Sequence, residues 1–355
     1  MTTLIIGGGI AGISAAARLA PHGPVVLLEA EDALSYHASG RSAAMFLQDY
    51  GNATVRALNY ASADYLLSTP NILKPRGVMM LAKPGQDAAF EAEFADFGMQ
   101  EISMTEAQAK VPILNTQTCA RAAFRADVYD LDTDLLIQGF LKIARNHGAD
   151  IVTKARVDSL QFADGVWHVR AGDRDWSAET LVNAGGAWAD HIAQMAGIAP
   201  IGLQPYRRSM ARIPAPGGHD VGTWPFMDGV AEAWYAKPDA GKLIVSPSEE
   251  HPMEPHDAWA DDMVLAEGLA RYEEMVSEPV TRLENSWAGL RTFAPDRTLV
   301  IGRDPVQPSF VWLAGQGGYG FQTAAAASQL VGDIVTGATP QLDAAAVTAL
   351  SPQRF

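Results

Sequence analysis

Residues 1–29, MTTLIIGGGIAGISAAARLAPHGPVVLLE, decide how this chain folds. Residues 2–6 are a short apolar run with β-branched side chains, the pattern of a strand buried on both faces. Gly7, Gly9 and Gly12 follow at once in G-x-G-x-x-G spacing. Residues 13–20 read as an alanine-rich helix, and residues 25–28 as a second apolar strand closed by Glu29. Strand, glycines, helix, strand and acid in that order read as a dinucleotide-binding unit. Gly7 permits the tight turn, Gly9 lets backbone amides approach a pyrophosphate, and Gly12 lets the helix pack close to the sheet. The helix N-terminus aims unpaired N–H groups and a positive dipole end at the phosphates. Glu29 suits ribose hydroxyls and disfavours a 2′-phosphate. The motif alone does not choose between FAD and NAD.

Bulk properties narrow the rest. A chain of 355 residues buries a large core and holds about two domains. Hydrophobic content of 48% and charged content of 19% describe an ordinary globular protein. A net charge of −15 disfavours nucleic acid and anionic membrane surfaces as partners. Cys119 is the only cysteine, which excludes an intrachain disulfide and a thiolate metal cluster. No apolar run reaches the roughly 20 residues that cross a bilayer. The N-terminal apolar stretch is a strand without a basic leader, so the expected location is the cytoplasm.

Further along, ASGRSAA at 38–44 sets small residues and the donors Ser39, Arg41 and Ser42 after the second strand. It reads as a phosphate-approaching turn and equally as a helix start capped by Ser39, and one can serve as the other. Residues 52–67 form a helix capped by Asn52, and 77–82 a strand. Short helices are expected over 87–97 and 105–111, the second opened by Thr105. A longer helix over 132–146 ends at Gly148. Residues 151–153 and 157–162 return to strand, with a turn at Asp164-Gly165 before 166–169. LVNAGGAW at 181–188 is a second strand–glycine–helix junction, as readily a structural turn as a backbone approach to a nucleotide. Between 206 and 285 eight prolines cut the chain into short strands and loops, with one convincing helix over 260–275. That texture is α+β, whereas α/β alternation resumes after 285. GQGGYGFQT at 315–323 then opens an alanine-rich terminal helix, a further place for amides to face a ligand.

Taken together, GGGIAG with Glu29, SGRSAA, VNAGGAWA at 182–189, WAGLRTFAPD at 287–296 and GQGGYGFQT resemble the FAD-dependent D-amino-acid oxidase/dehydrogenase superfamily nearly end to end. LQPYRRS at 203–209 and AWYAKPDAG at 233–241 look most like its bacterial D-arginine dehydrogenase branch. The resemblance implies a Rossmann-like FAD-binding α/β domain, residues 1–50, 132–205 and 285–355. It implies beside it an α+β substrate-binding domain with an antiparallel sheet, residues 51–131 and 206–284. It implies that Gly7, Gly9, Gly12 and Glu29 hold the ADP part. Arg41, Ser42 and Ala43 would lie along the pyrophosphate and flavin, with Val157 on the adenine side. Gly185 and Gly186 would border the flavin, and Gly315, Gly317, Gly318, Tyr319, Gly320, Phe321, Gln322 and Thr323 would reach its pyrimidine end. Relatives with covalent flavin attach it in the block matching 287–296; the matching residue here is Gly289, so the FAD is expected to be noncovalent.

Oxidising an amino acid at a flavin needs the substrate carboxylate held so that Cα–H faces the ring. Arginine suits that task, since its planar fork binds carboxylate bidentately and keeps its charge. By resemblance the handles are Arg208 and Arg291, with Tyr50 and Tyr235 lining the site. Met45, Gly77, Met79 and Gly318 would shape the substrate pocket. Relatives specific for arginine and lysine carry a glutamate matching Gly77 and a histidine matching Met45. The expected substrate is therefore a D-amino acid with a non-basic side chain, and D-arginine a poor one, oxidised to an imino acid that hydrolyses to a 2-oxo acid and ammonia. Rival readings are oxidation of a secondary amino acid of the sarcosine, proline or opine type, or of a 2-hydroxy acid, a flavin-binding electron-transfer subunit, and an NAD-dependent dehydrogenase. The partners expected are a small carboxylate-bearing substrate and an electron acceptor, whether oxygen, a quinone or an electron-transfer protein. No metal is expected.

Overall fold

A computed structural model describes residues 2–355; Met1, which opens the quoted stretch, lies outside them. The opening motif builds the centre of a six-stranded sheet in the order Val300–Arg303, Phe310–Ala314, Thr180–Asn183, Thr3–Ile6, Val25–Leu28, Asp150–Val152. Its strands are parallel except Val300–Arg303, which runs antiparallel to Phe310–Ala314. Helices Ile10–Leu19, Thr133–Asn146 and Gly320–Thr336 cover one face. A three-stranded antiparallel sheet and helix Ala189–Met195 cover the other. The first helix begins at Ile10, directly after Gly9 and three residues earlier than the alanine pattern indicates. Glycine is obligatory beneath it, because a Cβ on Gly12 would stand 1.9 Å from the Gly7 carbonyl oxygen. Gly7 itself turns the chain at φ +112°, a conformation that side chains resist.

The second unit is a nine-stranded sheet. From Gln204–Ile213 it runs through Lys242–Ser246, Trp234–Asp239, Phe226–Gly229, Val78–Ala82 and Arg121–Arg125 to Gln100–Ile102. His251–Pro252 and Asn285–Phe293 also pair with Gln204–Ile213. The sheet is antiparallel as expected, apart from one parallel pairing of Phe226–Gly229 with Val78–Ala82. One face packs Met79, Met227, Trp234 and Tyr272 into a core under helix Asp262–Glu273. The opposite face looks toward the nucleotide unit.

Two expected boundaries move. Helix Ala53–Ser68 was assigned with the substrate unit, but Val55, Leu58, Ala63 and Leu66 join the core of the first sheet. The Ser62 hydroxyl also accepts the amide of Ala326 at 3.0 Å. An apolar helix face reveals that it is buried, not which sheet buries it. Asn285–Phe293, assigned with the FAD unit, pairs residue for residue with Gln204–Ile213, so the return to the first sheet comes after Phe293. Two local readings shift as well. The helix Met104–Lys110 opens at Ser103, not Thr105, because Glu106 completes a capping box with Ser103. The strand expected over 157–162 is Ser159–Ala163, which leaves Val157 in the preceding loop.

Candidate active site

Two adjoining cavities of about 630 and about 390 Å³ lie between the units. They share walls that include Gly9, Ser39, Ala184, Gly186, Gly289 and Gly317. The smaller runs from Gly7 and Glu29 past Val157 to Gly185. The Glu29 carboxylate accepts the Gly8 amide at 2.6 Å and the Glu31 amide at 2.8 Å, which fixes the acid at the strand end beside the glycine turn. The Ile10 amide, first of the helix, donates to the Ser39 hydroxyl at 3.0 Å. Two buried polar groups on these walls, Gln322 Nε2 and Thr292 Oγ1, have no protein partner. Such groups are stable when something polar fills the space in front of them.

Ser42, Ala43, Gly318, Gly320, Phe321 and Gln322 line the larger cavity. Gly12, Gly315, Tyr319 and Thr323 stand behind the walls instead. Gly12 packs on Gly7, and Gly315 makes a turn at φ +73°. The Thr323 hydroxyl donates to the Tyr319 carbonyl at 2.8 Å, and the Tyr319 ring meets Tyr50 edge-on at 5.2 Å. Arg41 differs from expectation. It borders both cavities, yet its guanidinium donates to the carbonyls of Ala258 at 2.7 Å and Ala288 at 2.9 Å and pairs with Asp257 at 2.5 Å. It therefore latches the segment around 257 across the crevice rather than offering its charge to a phosphate.

The reactive side is built on one two-stranded ladder. Arg208 lies opposite Gly289 and Arg291 opposite Tyr206, so the two arginines are diagonal neighbours on the cavity face. Arg208 Nε donates to the Glu249 carbonyl at 3.0 Å, and Nη2 reaches Glu250 at 3.4 Å. Arg291 has no hydrogen-bond or ion-pair partner among the described residues. Burial works against its cation, but Tyr50, Tyr235, Glu232 and Glu250 outweigh that and push its pKa up. Burial, opposed by Arg291, pushes the Tyr50 hydroxyl up to about 12. Tyr235 stacks on Phe226 at 5.2 Å and donates to Met210 Sδ at 3.2 Å.

Of the expected pocket residues, Met45 lines the larger cavity and Met79 does not. Alternation along Val78–Ala82 turns Val78 and Met80 to the cavity and sends Met79 into the opposite core. Gly77 is also outside the wall, where a Cβ would meet the Phe124 ring at 2.7 Å. Asp228, Glu93 and Glu232 line the cavity and were not anticipated. The available signal was the alternation Phe226-Met227-Asp228, which places an acid on the same face as an aromatic.

The model of the FAD dependent oxidoreductase family matches residues 2–334. This chain belongs to that family. Human mitochondrial dimethylglycine dehydrogenase is 23% identical over 99% of this chain, which spans 44% of that protein. Among solved structures, glycine oxidase from Geobacillus kaustophilus superposes with a TM-score of 0.84 at 19% identity, covering 99% of this chain and 98% of that one. L-proline dehydrogenase from P. horikoshii gives 0.82 at 21% identity, covering 100% and 97%. The chain thus spans about half the length of the curated relatives it matches and nearly all of these structures. As an FAD-dependent oxidoreductase it uses FAD, and the unpartnered Gln322 and Thr292 beside a glycine turn fit such a cofactor. Among the described residues no helix is long and apolar enough to cross a membrane.

Proposed function

We propose that this FAD-dependent oxidoreductase oxidises the Cα of a D-amino acid to an imino acid, which water hydrolyses to a 2-oxo acid and ammonia. One observation carries the reading: Arg291, a guanidinium enclosed by the protein, faces the cavity without any acidic partner. A buried cation is stable when an anion completes it, and a substrate carboxylate is that anion. Arg208, two positions away across the ladder, gives the carboxylate a second donor. Together they would fix the substrate's orientation over the sheet. Two guanidinium charges beside the substrate also disfavour a positive amine, so the amine loses its proton without a dedicated base. Tyr50, its hydroxyl pushed up to about 12 by burial, stays protonated and serves as a hydrogen-bond donor there, and Tyr235 lines the same wall. FAD, when bound, accepts the hydride from Cα.

The cofactor would lie with its ADP part along Gly7, Gly9, Glu29 and Val157 and its ring near Ala43, Gly186 and Gly318. The attachment is noncovalent in this reading: Gly289 offers no sulfur, and Cys119 is buried in the core on the far face of the second sheet. A cytoplasmic location agrees with that reduced cysteine. Of the residues behind the expectation of a non-basic side chain, Met45 and Met80 line the larger cavity while Gly77 and Met79 lie outside its wall. A second reading, oxidation of a secondary amino acid, draws on relatives named for dimethylglycine and proline. An electron-transfer subunit without substrate would have no use for an unpaired Arg291.

The test is anaerobic mixing of purified enzyme with D-, L- and N-methyl amino acids and 2-hydroxy acids while flavin absorbance is followed. Bleaching by primary D-amino acids is expected, and bleaching by N-methyl amino acids or 2-hydroxy acids alone overturns the reading. Admitting air then separates oxygen from a quinone or an electron-transfer protein as acceptor.

A further inference from the structure

Arg207 and Arg208 are consecutive on Gln204–Ile213, and strand alternation sends them to opposite faces. Arg208 lines the larger cavity. Arg207 turns the other way, toward Asp261, the N-cap of helix Asp262–Glu273. One residue meets both arginines. The Glu249 carbonyl accepts Arg208 Nε at 3.0 Å, and the Glu249 carboxylate lies 3.7 Å from Arg207 Nε. That side chain is only 4% exposed, and among the described residues nothing donates a hydrogen bond to either of its oxygens. Arg207 Nε is likewise buried without an acceptor. Its Nη2 stands 3.6 Å from Asp261 and 3.3 Å from Nδ1 of His251, the residue paired with it across the ladder. The Arg207–Glu249 contact is therefore an enclosed ion pair, too long for a hydrogen bond.

The backbone on either side of Glu249 is fixed in direction. Ser248 takes φ +57°, a left-handed conformation that a side chain resists. Its amide donates to Ser246 Oγ at 3.2 Å, and that hydroxyl donates to the Ser209 carbonyl at 2.7 Å. Glu250 turns back to Arg208 Nη2 at 3.4 Å and accepts Arg297 at 2.9 Å, while Glu232 stands 3.8 Å from the same Nη2. The Glu249 carbonyl is thus the shortest contact of the Arg208 fork and the one made through Nε. An enclosed carboxylate without donors costs stability, and so does an enclosed ion pair compared with apolar packing. What this pair secures is the course of the backbone between the two arginines. We propose that Glu249 is a positioning residue. Gripped by Arg207 behind the sheet, it fixes the carbonyl that aims the Arg208 guanidinium into the cavity in front. The inference rests on reading Arg208 as a handle for the substrate carboxylate, and a fork aimed beforehand loses less freedom when that carboxylate arrives.

A double-mutant cycle on the FAD-loaded enzyme tests this. Pyruvate carries a carboxylate but no oxidisable Cα–H, so its binding is read from the shift in flavin absorbance. Glu249→Gln keeps shape and backbone and removes the charge that Arg207 grips. It is expected to weaken pyruvate binding about fivefold when Arg208 is present, and less than about twofold in Arg208→Met. Arg207→Met should match Glu249→Gln, and Arg207→Lys, which keeps the charge, should retain most of the affinity. Equal losses with and without Arg208, or an unchanged affinity in Glu249→Gln, overturn the inference. Flavin content and melting temperature identify a misfolded variant. Should Glu249→Gln and Arg207→Met both misfold, the cycle is run with Arg207→Lys, and a loss confined to enzyme that retains Arg208 decides in favour. If wild type shows no pyruvate shift, or Arg208→Met binds pyruvate as well as wild type, the carboxylate-handle reading itself fails and takes the inference with it.

Discussion

Arg291 is the side chain on which the proposed chemistry turns, and replacing it separates charge from geometry. Arg291→Met is expected to lower kcat/KM by about two to three orders of magnitude, the loss that follows when one member of an enclosed charge pair is truncated. Arg291→Lys keeps the charge but not the fork, so an intermediate loss is expected, read from steady-state rates. Asp228 predicts an effect on folding. Its carboxyl holds a proton in the folded state over a range where the unfolded chain has released it, so wild-type stability falls as pH rises above the ordinary carboxylate range. Asp228→Asn removes that slope, and melting of the flavin-free protein should show the variant gaining more over wild type at pH 8 than at pH 5. The sequence made the arginines legible because each sits in a longer block, LQPYRRS and WAGLRTFAPD. Asp228 was marked only by the alternation Phe226-Met227-Asp228, and the inward choice of Met80 over Met79 was hidden. A strand buried on both faces shows no polar alternation, so nothing in VMMLA marks which face meets the cavity.

At the scale of elements, the glycine turn and its helix were readable down to single atoms. Gly12→Ala forces a methyl against the Gly7 carbonyl, an overpacking expected to cost about 1–3 kcal/mol and to lower the flavin content of purified protein. The latch across the crevice was not readable, because Arg41 and Asp257 lie far apart in sequence and neither belongs to a motif with the other. It makes a distinguishing prediction about Arg41. If that guanidinium acts by holding the segment around 257, then Asp257→Ala and Arg41→Gln should weaken FAD binding in the same direction, measured by flavin release on dilution. A direct phosphate contact would leave Asp257→Ala without effect. The pair itself contributes at most about 1 kcal/mol to stability, since the Asp257 side chain is 57% exposed.

For the whole molecule, the cavities lie between two sheets, and FAD held along their walls would touch both units. FAD at one hundred times its Kd should stabilise the fold by about 2.7 kcal/mol, seen as a melting temperature that climbs with added FAD. Both sheets were legible in the texture of the chain, alternating α/β at the ends and proline-broken strands between. Their boundary was not, because helix Ala53–Ser68 and strand Asn285–Phe293 carry apolar faces that suit either partner. That strand also governs how the chain tolerates changes of length. Between Ile213 and Asn285 the polypeptide wanders through loops, where added or lost residues are absorbed as slack. Within the ladder itself, deleting a single residue on the terminal side of Arg208 or Arg291 would rotate that guanidinium half a turn, out of the cavity and into the packing behind it. Lineages of this enzyme should accordingly vary freely in span between the two strands while keeping Arg208 paired across the ladder with the residue two positions before Arg291.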